Sequence, residues 1–245
     1  MAPQPPPPAL GGLRLGFADL TPVIWALETI LDLADVPATP ATSEAACATP
    51  EPQRIYALDG LRLEARITPL RPGGDAQRPH RADTLLWQSP DIAGQRQHLK
   101  RLGLCALDSA DLDGPECLRL EAIETGACAA EWHTAVSAAP SAPFLGLVGI
   151  ELRVRAPERT ASHWAALLDA ELGRDRGGAP VLRAWPAALH FVPAPESAGT
   201  GISALMFAAP HARRLAQRAA EQGLLVAADA SWAAGGLRMR SAPPA

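Results

Sequence analysis

The sequence predicts an α+β fold made of two similar halves, and three observations lead there. Short stretches that alternate apolar and polar residues with a period of two outnumber the helical stretches, as expected of half-buried strands. Their order repeats: strand, helix, strand, strand occurs twice in each half, which is the mark of internal duplication. The third observation is a repeated segment, Leu-Arg-Leu-Glu-Ala at 61–65 and again at 118–122, with a divergent copy, Leu-Arg-Met-Arg-Ser, at 237–241.

Taken in order, residues 12–18 alternate as a strand, and Thr21 with Pro22 starts a helix through Trp25, Leu27, Ile30 and Leu31 to about Ala34. Residues 54–58 and 61–68 flank Asp59-Gly60, a strong hairpin signal. Residues 84–88 form a strand, and a helix from Asp91 to Leu102 ends at Gly103. Strands at 104–107 and 118–122 close the first half. Residues 126–145 read as a linker, with a helical turn at Glu131, Trp132 and His133.

The second half gives strands at 149–155, 180–185, 188–192, 201–208, 224–227 and 236–241, with helices at 158–172 and 210–223. The domain reading is therefore a proline-rich start at 1–10, domain 1 at 11–125, the linker, and domain 2 at 146–243. Trp25, Trp87, Trp164 and Trp185 read as core.

Composition narrows the function. With 48% apolar residues in 245 the chain can bury a core, and the net charge of −4 offers no basic block for nucleic acid. Lys100 is the single lysine, so Arg carries the positive charge, as in GC-rich bacterial coding. The start, Met-Ala-Pro-Gln and four prolines, has neither the charged nor the apolar region of a signal peptide, and no apolar run spans a bilayer. A cytoplasmic monomer or homodimer with no membrane and no nucleic-acid partner is expected. Cys47, Cys105, Cys117 and Cys128 lack Cys-x-x-Cys spacing, so they read as reduced thiols, and Cys117 as an inert buried one.

The element order, with Val148-Gly-Ile-Glu-Leu-Arg-Val and Ala188-Leu-His-Phe-Val-Pro-Ala, resembles the vicinal oxygen chelate superfamily of glyoxalase, bleomycin-resistance and extradiol-dioxygenase proteins. The resemblance covers residues 10–125 and 146–243. It implies two glyoxalase-like domains of paired βαβββ modules, with curved mixed sheets forming cups that bind a small molecule. Metal-dependent members take His, Glu, His and Glu from the first, third, fourth and last strands. Those positions fall here on Gly12, Glu64, Thr84 and Glu121, and in the second half on Gly149, Val192, Ile202 and Arg240. Glutamates survive in the first half, and every histidine is gone.

Imidazole supplies much of the affinity of such sites for transition metals. The resemblance therefore points to a protein with no metal ligand and no cofactor, a divalent metal being the lesser reading. Counting by twos places Arg14, Arg62, Glu64, Arg66, Gln88, Arg119 and Glu121 on the first wet face, with Thr84 at its ligand position. The second presents Glu151, Arg153, His190, Met206, Arg238 and Arg240. Guanidinium-rich cups favour a carboxylate, phosphate or enolate. In an enzyme, Glu64, Glu121 and His190 are the catalytic candidates, for isomerase or lyase chemistry by proton abstraction. Two alternatives stand beside this: sequestration without catalysis, and a metal-dependent lyase or dioxygenase. The structural alternative pairs Glu64 and Glu121 with neighbouring arginines.

Overall fold

Each half of the chain builds one seven-stranded sheet. A computed structural model describes residues 8–36, 53–68, 83–108, 117–134, 144–196 and 199–242. In the first half the elements are β1 (Ala9–Phe17), α1 (Thr21–Thr29), β2 (Gln53–Leu58), β3 (Leu61–Ile67), β4 (Thr84–Gln88) and α2 (Ile92–Arg101). They continue with β5 (Leu107–Asp108), β6 (Cys117–Leu120), α3 (Ala122–Thr125) and β7 (Ala129–His133). The second half has β8 (Leu147–Val154), α4 (Pro157–Leu168), β9 (Leu172–Arg174), β10 (Pro180–Leu182) and β11 (Ala188–Pro193). It ends with β12 (Gly201–Phe207), α5 (Ala209–Glu221), β13 (Trp232–Ala234) and β14 (Leu237–Ser241).

The strand orders are β2-β3-β1-β4-β7-β6-β5 and β13-β14-β12-β8-β11-β10-β9. In both sheets two modules meet along a central antiparallel pair, β1 with β4 and β8 with β12. Each module's last strand returns parallel to its first, as β3 does to β1 and β7 to β4. In the first module the strand that would follow the helix shrinks to a single bridge between Asp35 and Tyr56.

Period-two alternation sorts the faces. Leu13, Leu15, Leu63, Trp87, Trp132, Ile150, Leu152 and Phe191 are buried in the core, and the charged residues between them line the opposite face. Asp59 and Gly60 both adopt positive φ in the hairpin between β2 and β3, the conformation that a two-residue turn of this type needs. The Asp59 carboxylate then accepts from the backbone of Leu145 and Leu147, fastening this turn to the second half. Buried Asp83 accepts from Gly16 in one half and Ile202 in the other. Trp87 and Trp164 approach with ring centroids 6.2 Å apart, so the two halves share one core.

Several expectations are corrected. Residues 131–133 form the middle and end of β7 rather than a helical turn, so the expected linker at 126–145 contains a central strand. Ala130 and Trp132 face the core while Glu131 and His133 face the cup, a clean alternation that the small neighbouring residues disguise. Helix α1 ends at Thr29, well before Ala34, and 224–227 is not a strand. Trp185 is 79% exposed in the β10–β11 loop, beyond the strand end where alternation would bury it, and Trp25 is also partly exposed.

Candidate functional site

The first sheet's polar face carries a buried ionic cluster centred on Arg14. Its Nε donates to Glu64 Oε2 and its Nη1 to Glu131 Oε1, both at 2.7 Å. One guanidinium thus bridges the last strands of both modules, β3 and β7. Arg66 Nη2 lies 3.0 Å from Glu64 Oε2, and Arg62 Nε lies 2.8 Å from Oε1 without the alignment of a hydrogen bond. Arg119 donates to Glu131 through Nη1 (2.5 Å) and to Glu121 through Nε (2.6 Å).

The electrostatics follow from that crowding. Burial would raise the carboxyl pKa of Glu64, but Arg14, Arg66 and Arg62 outweigh it and hold the group below the usual range. Glu131 is likewise resisted by burial, yet His133, Arg14 and Arg119 bring it down to about 2. Contacts with Cys117 and Glu131 push His133 up to about 9. Arg66 moves the other way, lowered by burial and by the like charge of Arg14. The Nε groups of Arg62 and Arg66 are buried with no hydrogen-bond partner among the described residues.

The second sheet inverts the arrangement. Glu151 on β8 is buried and accepts from Ser203 Oγ (2.6 Å) and Arg238 Nη2 (3.1 Å). Arg240 Nη2 lies 3.1 Å from its other oxygen. Ser203 sits where the β8–β12 register shifts, and that irregularity aims its hydroxyl at Glu151. His190, paired with Glu151 across β8 and β11, rests on Gly149: a Cβ there would stand 3.0 Å from the imidazole. Its Nδ1 is buried without a partner among the described residues, and burial lowers its pKa.

The structure brings Arg14, Arg62, Glu64, Arg66, Thr84 and Arg119 onto one face, where Thr84 pairs with Arg14 and Gln88 pairs with His133. Glu151, Arg153, His190, Arg238 and Arg240 share the other sheet's polar face. Glu121 departs from expectation. It follows β6 and takes the N-cap position of α3 in a capping box with Glu124, its side chain 47% exposed. The carboxylate matching Glu64 is Glu131, which the repeated pentapeptide could not reveal because the repeat copies residue order, not sheet position. Cys117 also has a partner that the sequence did not offer, His133, at 3.7 Å.

No protein-family model matches the sequence, and no curated protein matches it. Solved structures do. A catechol 2,3-dioxygenase superposes with a TM-score of 0.63 at 16% identity, covering 98% of this chain and 91% of that one. The Mn(II)-bound glyoxalase from Novosphingobium aromaticivorans gives 0.63 at 12% identity, covering 97% and 82%. The 2,2',3-trihydroxybiphenyl 1,2-dioxygenase from Sphingomonas wittichii strain RW1 gives 0.60 at 12%, covering 97% and 91%. The chain has the fold of the vicinal oxygen chelate superfamily.

One of these neighbours is Mn(II)-bound, so this chain's residues can be tested against a metal. They do not fit. Glu64 and Glu131 are the carboxylates that could hold it, and the Arg14 guanidinium lies bonded between them. A metal shared by these two carboxylates would have to take the place of that guanidinium. Gly12 and Thr84 stand where the resemblance puts imidazoles.

Proposed function

We propose that this chain is a glyoxalase-like small-molecule protein that binds an anionic or oxygenated organic ligand in its first cup, with Arg14 in place of a metal. The observation that carries the reading is the surplus of guanidinium. Arg14, Arg62, Arg66 and Arg119 face Glu64 and Glu131, with Glu121 only at the rim. The depressed pKa of Arg66 and its Nε donor, which has no hydrogen-bond partner among the described residues, are what a carboxylate or enolate ligand would relieve.

The same cluster argues against Glu64 as a general base, because a carboxylate held below its usual range by three arginines is a weak proton acceptor. Binding or sequestration is therefore the first reading. A specific observation favours a second, catalytic one: His190 is neutral by burial and has an unpartnered Nδ1, so the second cup holds an available base for isomerase or lyase chemistry.

A thermal-shift series with di- and tricarboxylates, using neutral diols as controls, tests the binding reading. Carboxylates should raise the melting temperature of the native chain, with about 2.7 kcal/mol of stabilisation at a hundredfold excess over Kd. The increment should vanish in the Arg62→Gln/Arg66→Gln double variant. An equal shift in native and double variant would overturn the assignment of the site. Turnover lost in His190→Gln with binding retained would favour the second reading.

A further inference from the structure

We propose that Cys117, Glu131 and His133 form a binding site for a zinc-class divalent ion at the edge of the first cup, separate from the position that Arg14 fills. Cys117 on β6 stands opposite His133 on β7, and Glu131 lies two residues before His133 on the same face. Their ligand atoms all fall within 4.8 Å of one another. The sulfur is 3.7 Å from His133 Nε2, and that same nitrogen is 3.3 Å from Glu131 Oε2.

The sulfur–nitrogen and nitrogen–oxygen separations are close to two edges of a tetrahedron. A zinc ion about 2.3 Å from sulfur and about 2.0 Å from nitrogen and oxygen sets sulfur and nitrogen about 3.5 Å apart and nitrogen and oxygen about 3.3 Å apart. The direction of the contacts matters as much as their length. In a nucleophile–imidazole–carboxylate relay, thiol and carboxylate take opposite ring nitrogens. Here both meet Nε2, so sulfur, nitrogen and oxygen converge on one point, which in their deprotonated forms calls for a single cation.

The surroundings suit such an ion. Arg14 and Arg119 both bond Glu131 through Oε1, which fixes the carboxylate and leaves Oε2 for the metal. Cys117 is buried, whereas the His133 side chain retains 20% of its exposure, so the site has a wet side for entry and for a fourth ligand. Thiolate and imidazole together select zinc or cobalt over magnesium or calcium. Each ion bound displaces protons from Cys117 and His133 to solvent. Spacing rules miss the site because its ligands are brought together by strand register.

Titration of the full chain with Co²⁺ tests this, read by the thiolate-to-cobalt charge-transfer absorption. One equivalent should produce the band, and Zn²⁺ should erase it. The band should persist in Cys47→Ser/Cys105→Ser, which removes the exposed thiol of Cys105 and the remaining one outside the buried pair. It should be absent in Cys117→Ser, and His133→Ala should weaken binding by more than about 100-fold, the upper range for losing a group that merely supports a ligand. Absence of the band in Cys47→Ser/Cys105→Ser, or its survival in Cys117→Ser, would overturn the proposal. If Cys117→Ser does not fold, the titration of the double variant decides alone. Neither outcome bears on anion binding, which is read at Arg62 and Arg66.

Discussion

The two cups place opposite charges at equivalent points of their two sheets. In the first, Gly12 pairs with Arg62 and Arg14 with Glu64; in the second, Gly149 pairs with Ala188 and Glu151 with His190. Arg14 and Glu151 are thus structural counterparts. One is a cation held by two carboxylates, the other a carboxylate held by two arginines and a serine. The fold needs that position polar and satisfied, and it is indifferent to the sign. What differs is the remainder: the first cup leaves arginine donors unpartnered, and the second leaves both arginine donors and an imidazole.

The sharpest way to break the comparison is to remove each centre. Arg14→Met removes the cation that lies between two buried carboxylates, leaving Glu64 to Arg62 and Arg66 and Glu131 to Arg119 and His133. Loss of one partner from a buried ionic set costs about 3–5 kcal/mol, which denaturant unfolding would read as a lowered midpoint. Glu151→Gln should cost less, about 2–3 kcal/mol, because Arg238 and Arg240 have 37% and 25% exposed side chains and can turn to water. If the order were reversed, Arg14 would not be the keystone of its cluster.

How far this was legible in the sequence depends on the kind of information. The repeated element order and the period-two faces at 61–67 and 188–193 come from local alternation, and the sheets follow them. Arg14, Arg62, Glu64 and Arg66 fall on one face for the same reason. Glu131 did not emerge, because the alanines and cysteine at 127–130 look like a connecting segment and only pairing with β4 and β6 makes 129–133 a strand. Glu121 was overvalued because identical pentapeptides suggested identical places, yet Leu61–Ile67 runs on as a strand while Glu121 starts a helix. The Cys117–His133 pair depends on register across a hairpin-like connection that no spacing rule encodes.

The matched glycines sharpen the comparison further. Each lets a neighbour's atoms lie directly on the strand. A Cβ at Gly12 would stand 2.4 Å from the Arg62 carbonyl oxygen, so backbone must move; one at Gly149 is tight only against the His190 ring, at 3.0 Å, with the Ala188 carbonyl oxygen at an ordinary 3.4 Å. Gly12→Ala should therefore cost about 3 kcal/mol and Gly149→Ala about 1 kcal/mol, the two ends of the usual overpacking range. Equal costs would mean that His190 is as fixed as main chain.

The smallest effect is the pH dependence that His190 gives the second cup. His190 has its pKa lowered first by burial and then by Arg240, against the pull of Asp175 and Glu151, while uncharged Val181 faces it from β10. The unfolded chain titrates this histidine near 6.5. Between that value and the lower folded one, the unfolded state binds more protons, so stability falls as pH drops through the window and is flat below it. Melting temperatures of native and His190→Gln chains should therefore diverge at pH 8 and converge as pH falls below about 6. The first cup supplies the internal contrast: depressed Glu64 loses its contribution only at lower pH, within and below the carboxylate range. A constant difference between native and variant across that window would show that folding leaves the His190 titration unshifted, and a difference that grows as pH falls would show that the folded state stabilises its protonated form; either would mean that the second cup is not the neutral-base site its geometry describes.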